Sequence, residues 1–127
     1  MRVVRRLALA VTFSVSAITG AWAQQPTYLV FFQQWSAAID DSAQSVINQA
    51  ADWMKSHPGR ARVIGFADPT GSREANILLS ELRAQVVSDG LVAAGVPAGR
   101  IRKTGKGSVQ FAGSSQEARR VEIDVTP

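Results

Sequence analysis

The chain has 127 residues, 14 Lys and Arg against 10 Asp and Glu, and no cysteine. That length suits one small domain, and without disulfides a hydrophobic core alone must hold it. The formal charge of +4 hints at nucleic acid, but setting aside Arg2, Arg5 and Arg6 leaves +1, too little for a phosphate-tracking surface, so no nucleic-acid partner is expected.

In chain order, "MRVVRRLALAVTFSVSAITGAWAQQ" comes first: a basic head, an apolar run over 7–18, and the small-x-small sequence Ala21-Trp22-Ala23. This is the pattern of a secretory signal peptide, expected to span 1–23, with a mature domain over 24–127. The run is shorter than the ~20 apolar residues that cross a bilayer. With no cysteine to carry a lipid, the mature chain is expected free in the compartment to which it is exported.

"TYLVFF" over 27–32 reads as a buried strand. Helical spacing then takes over: Val46, Ile47, Ala50, Trp53 and Met54 mark a helix over 42–56, with Asp41 or Ser42 as its cap and Gln44 placed as in a capping box. "RARVIGFA" over 60–67 suits a second strand. Pro69 and Gly71 punctuate the loop that follows, and Ser72 offers a cap for a helix over 73–94, whose expected apolar stripe is Leu79, Leu82, Val86 and Ala93, widened by Leu78 and Leu91. "RIRKTGKG" is a third strand. After a Gly/Ser-rich connection, "RRVEIDVT" alternates Val121, Ile123 and Val125 with charged residues, as a strand with one wet face does. The order βαβαββ favours an α+β fold of two layers, with two helices on one face of a sheet.

One stretch carries chemistry. Asn76, Ser80, Arg83 and Val87 are spaced to share one face of the second helix, apart from its expected apolar stripe, and Asp68 lies in the loop before it. Arg83 is about three turns into the helix. A carboxylate and a guanidinium offered together complement a zwitterion: an ammonium at Asp68, a carboxylate at Arg83, with the helix N-terminus favouring the anionic end. The same spacing also fits a salt bridge between Asp68 and Arg83 that merely pins the loop.

The residues here resemble the OmpA-like C-terminal domain family. Gly65, Ala67-Asp68, Gly71, Asn76, Leu79-Ser80 and Arg83-Ala84 match its signature in order and spacing, and "GVPAGRI" and the closing "RRVEI" extend the likeness over nearly all of 24–127. The resemblance implies a mixed sheet, no catalysis, and non-covalent binding of peptidoglycan through the diaminopimelate of its stem peptide. Asp68 and Arg83 are then the principal contacts, with Asn76 and the loop Thr70, Gly71 and Ser72 completing the cradle, and Ser80, Arg119 and Arg120 as secondary candidates. Phe66, Ala67 and Ala118 depart from the family pattern, as do Gln33 and Gln34 where acids are common and the short connection over 107–116; these changes bear on the pocket rim.

An enzyme has little to work with. His57, the single histidine, sits where a helix C-terminal cap belongs, and no metal cluster or cofactor motif is present, so no metal or cofactor is expected. Asp40, Asp41 and Asp52 read as helix-start and solvated positions rather than a glycosidase pair. The alternative is a periplasmic interaction module of the same fold, docking an outer-membrane or other envelope protein through the Trp35 region. On an alternating strand Arg119 and Arg120 point to opposite faces, so at most one of them lines the Asp68 site.

Overall fold

A computed structural model describes residues 25–109 and 115–127 of the chain. The expected signal segment, 1–23, and part of the Gly/Ser-rich connection lie outside the described residues. Strand β1 (Thr27–Phe31) is followed by helix α1 (Asp41–Ser56), strand β2 (Arg60–Ala67), helix α2 (Arg73–Ala93), a 3-10 turn (Ala98–Arg100), strand β3 (Ile101–Ser108), a short helix α3 (Ser115–Ala118) and strand β4 (Arg120–Thr126).

The four strands form one sheet in the order β1-β4-β2-β3. β2 and β3 run parallel with Val63 opposite Lys103, while β4 lies antiparallel to both of its neighbours. The sheet is therefore mixed, as the resemblance implies. Alternation along β4 turns Val121, Ile123 and Val125 toward the helices, where they meet Val30 and Val63 of the sheet, Ile47 and Met54 of α1, and Val87 and Leu91 of α2 in one core. β1 is an edge strand covered on one side only. Leu29 and Phe31 consequently stay 41% and 39% exposed, so the expected buried strand is buried on alternate residues alone.

The cap of α1 stands one or two residues ahead of the expected Asp41 or Ser42. Asp40 keeps extended backbone while its carboxylate accepts from the Ala43 N–H at 2.7 Å. At the far end of α1, His57 accepts the capping position expected of it: Nδ1 lies 2.8 Å from the Trp53 carbonyl, and the imidazole stacks on the Trp53 indole at 4.0 Å. Arg100 closes the same end with three donated bonds, to the carbonyls of Met54, His57 and Gly59.

α2 buries only part of the expected stripe: Leu91 lies in the core and Val86 packs against it, but Leu78, Leu82 and Ala93 are exposed. Its buried residues are Asn76, Ser80, Arg83, Ala84, Val87, Ser88 and Leu91, whereas Leu78 and Leu82 are 65% and 51% exposed. The cause is the closeness of the helix to the sheet. A Cβ on Gly65 would collide with the Ser80 carbonyl, and one on Gly105 with the Glu81 amide. Backbones that near leave room at this crossing for serine and alanine but none for a leucine, so there the small and polar stripe turns inward and Leu78 and Leu82 turn out, while Leu91, farther along the helix, reaches the core.

Candidate functional site

The loop between β2 and α2 is built by its own side chains. Asp68 Oδ1 accepts from the Thr70 N–H at 3.0 Å, Asn76 Nδ2 donates to the Thr70 carbonyl at 2.9 Å, and Ser72 Oγ accepts from the Ala75 N–H at 3.1 Å as the α2 cap. Gly71 has φ 90, a left-handed value that suits glycine, and the Trp35 ring lies where its Cβ would be. Asn76 is buried and is spent on holding this loop.

Arg83 is fully buried, at 0% exposure, and ties three segments together. Nε donates to the Ser36 carbonyl at 2.8 Å, NH1 to Phe66 at 3.0 Å and NH2 to Gln33 at 3.0 Å, while the guanidinium lies 5.2 Å from the Phe32 ring centroid. Three of its five N–H groups are thus committed to backbone. Burial lowers its pKa to about 10; the charge of Arg119 acts in the same direction and that of Asp68 opposes both.

The ion pair of the loop is Asp68 with Arg119, not Asp68 with Arg83: Arg119 NH1 lies 3.3 Å from Asp68 Oδ2, and Arg119 Nε donates to the Phe32 carbonyl at 3.1 Å. Asp68 is 6% exposed. Burial works to raise its carboxyl, yet the hydrogen bonds from Thr70 and the contact with Arg119 outweigh it and hold the pKa below the ordinary carboxylate value. The carboxylate is ionised at neutral pH, and its two oxygens keep acceptor capacity beyond these partners.

The structure therefore brings Asp68, Thr70, Gly71, Ser72, Asn76, Arg83 and Arg119 into one cluster. It leaves two secondary candidates out. Ser80 Oγ donates to the Ile77 carbonyl and accepts from the Gly107 N–H, both at 2.8 Å, which fastens α2 to β3 inside the core. Arg120 takes the opposite face of the sheet, 4.4 Å over the Phe66 ring and paired with Glu122 at 2.6 Å. A cleft of about 410 Å³ lined by Glu81, Ala84, Gln85, Lys103, Thr104 and Gly105 contains none of the Asp68 cluster. Among the described residues no three His, Cys, Asp or Glu side chains converge to hold a metal ion.

Sequence reasoning underweights the segment after β1. Gln33 and Ser36 supply carbonyls to Arg83, and Trp35 between them has φ 55. That left-handed backbone costs a non-glycine residue about 1–2 kcal/mol. Nothing in the one-dimensional pattern announces it; backbone acceptors carry no residue signature.

The model of the OmpA family matches residues 31–123. The chain belongs to the OmpA family. It is 35% identical over 105 residues to the probable lipoprotein YiaD of Escherichia coli, covering 77% of this chain and 48% of that protein. It is 34% identical over 119 residues to the peptidoglycan-binding protein ArfA of Mycobacterium bovis, covering 88% of this chain and 34% of the relative. The chain thus spans less than half the length of these curated relatives. Among solved structures, the peptidoglycan-associated lipoprotein of Burkholderia pseudomallei superposes with a TM-score of 0.71 at 25% identity, over 78% of this chain and 90% of that one. The cell wall anchor of the T6SS from Pseudomonas aeruginosa does so with 0.64 at 28% identity, over 78% and 79%.

Proposed function

We propose that this chain, exported to the periplasm with 1–23 removed as a signal peptide, binds peptidoglycan non-covalently and without catalysis, through the diaminopimelate of the stem peptide. The observation that carries the reading is Asp68, a nearly buried carboxylate held ionised beside two guanidiniums, Arg119 in contact and Arg83 behind. The names of the relatives, peptidoglycan-binding and peptidoglycan-associated, point the same way.

The free end of diaminopimelate carries an ammonium and a carboxylate on one carbon. The ammonium meets Asp68. The 3.3 Å contact with Arg119 is longer than the 2.7–2.9 Å usual for a charge-assisted bond, so the carboxylate has capacity to share with an incoming cation. The ligand carboxylate meets the guanidinium side of the cluster, with Arg119 at the rim and Arg83 supplying field from below while it holds the loops in place. Thr70, Gly71 and Ser72 form the backbone cradle, and Asn76 fixes their shape.

Co-sedimentation of the chain with purified diaminopimelate-type peptidoglycan tests this, beside lysine-type peptidoglycan, whose side-chain end lacks the carboxylate. A lost charge-assisted contact is worth about 1.5–3 kcal/mol, so Asp68→Asn and Arg119→Ala are expected to weaken binding about ten- to a hundredfold. A parent chain that stays in the supernatant would transfer the function to a protein partner, and folded variants that sediment as well as the parent would place wall binding away from the Asp68 cluster.

A further inference from the structure

The Trp35 indole is half exposed, its residue backbone is left-handed, and its ring rests on Gly71, three residues beyond Asp68 in the same loop. Arg83 grips the chain on both sides of it, through the Gln33 and Ser36 carbonyls. A half-exposed indole on a left-handed backbone gains little by itself: asparagine would adopt this φ with less cost. The surroundings nevertheless over-determine its position. The edge of the ring is thereby held against Gly71, in the loop that Asp68 opens, and an indole fixed in the same loop cluster as an ionised carboxylate can receive a cation, because the face of tryptophan attracts ammonium groups within about 6 Å.

We infer that Trp35 is the second wall of the ammonium subsite, closing from the β1–α1 side over the cation that Asp68 neutralises. This rests on the peptidoglycan reading above and specifies the part of the ligand that the indole touches. Trp35 then sets preference for an amino acid end bearing a free ammonium. Asp68 supplies the charge and Trp35 the desolvated cover, and neither replaces the other.

The test titrates the mature chain over 24–127, whose tryptophans are Trp35 and Trp53, with meso-diaminopimelate by calorimetry, for the parent, Trp35→Asn, Trp35→Phe and Asp68→Asn, with urea unfolding run on each. Trp35→Asn is expected to keep its unfolding midpoint, since asparagine tolerates the left-handed backbone, and to bind about three- to thirtyfold more weakly. Trp35→Phe should fall between it and the parent. Independently of any folding effect at position 35, ligand addition should change the tryptophan fluorescence of Trp53→Phe, which keeps Trp35, and leave that of Trp35→Phe unchanged. Binding by the parent with Trp35→Asn within twofold of it, or with no Trp35 fluorescence response, overturns this inference and leaves the peptidoglycan reading standing. A parent that binds neither diaminopimelate nor peptidoglycan overturns both.

Discussion

Arg83→Ala separates the two roles a guanidinium can have here. The substitution strands three backbone carbonyls, those of Gln33, Ser36 and Phe66, in a region where the parent side chain is fully buried. An orphaned buried acceptor costs about 1–3 kcal/mol, so the three together cost about 3–9 kcal/mol. Removing a desolvated charge works the other way, as the lowering of the Arg83 pKa to about 10 indicates, and water entering the vacated space satisfies part of the loss. The expected net loss is therefore near the lower end, about 3 kcal/mol, a large share of the 5–15 kcal/mol that holds a typical domain. Urea unfolding followed by far-ultraviolet circular dichroism reads this directly: with slopes of about 1–3 kcal/mol/M, the midpoint should drop by about 1–3 M. Arg83→Lys, which keeps the charge but loses the three-way fork, should fall between. If Arg83→Ala unfolds within about 0.3 M of the parent while losing peptidoglycan, the assignment of Arg83 as chiefly a loop clamp is wrong and the residue is a ligand contact first.

Other consequences are equally open to measurement. Because the Asp68 carboxyl is depressed, it contributes stability that is present above its ordinary value near 3.8 and is lost as pH falls through its lower folded value. The stability gap between the parent and Asp68→Asn should therefore be constant at neutral pH and shrink in urea titrations run below about pH 4. Ser80→Ala should cost about 1–3 kcal/mol, because it orphans the buried Gly107 N–H, and hydrogen exchange at Gly107 should accelerate more than at Val63. Gly65→Ala drives a methyl into the Ser80 carbonyl and should lower the unfolding midpoint by at least as much as a typical overpacking change, about 1–3 kcal/mol; a neutral result would mean that α2 does not lie so close to β2.

Much of this protein is legible in its residues. The alternation of Val121, Ile123 and Val125, the Ser72 cap and the Gly and Pro breaks each specify a local conformation through sterics and backbone hydrogen bonding, and the observed β1, α1, β2, α2, β3 and β4 follow them within a few residues. The spacing of Asn76, Ser80 and Arg83 likewise defines one helical face whatever that face meets.

What that face meets was decided in three dimensions. Hydrophobicity assigned the leucines of α2 to the core, and Leu91 is there, yet two glycines on neighbouring parallel strands let the first half of the helix settle so close that small and polar residues fit beneath it and Leu78 and Leu82 do not. The partner of Asp68 was likewise settled by sheet order, which sets the start of β4 beside the end of β1 and so delivers Arg119, 51 residues away in sequence, to the loop. Arg83 found its partners in carbonyl groups that every residue possesses. Periodicity determines which side chains share a face; only close packing and strand order determine what lies opposite.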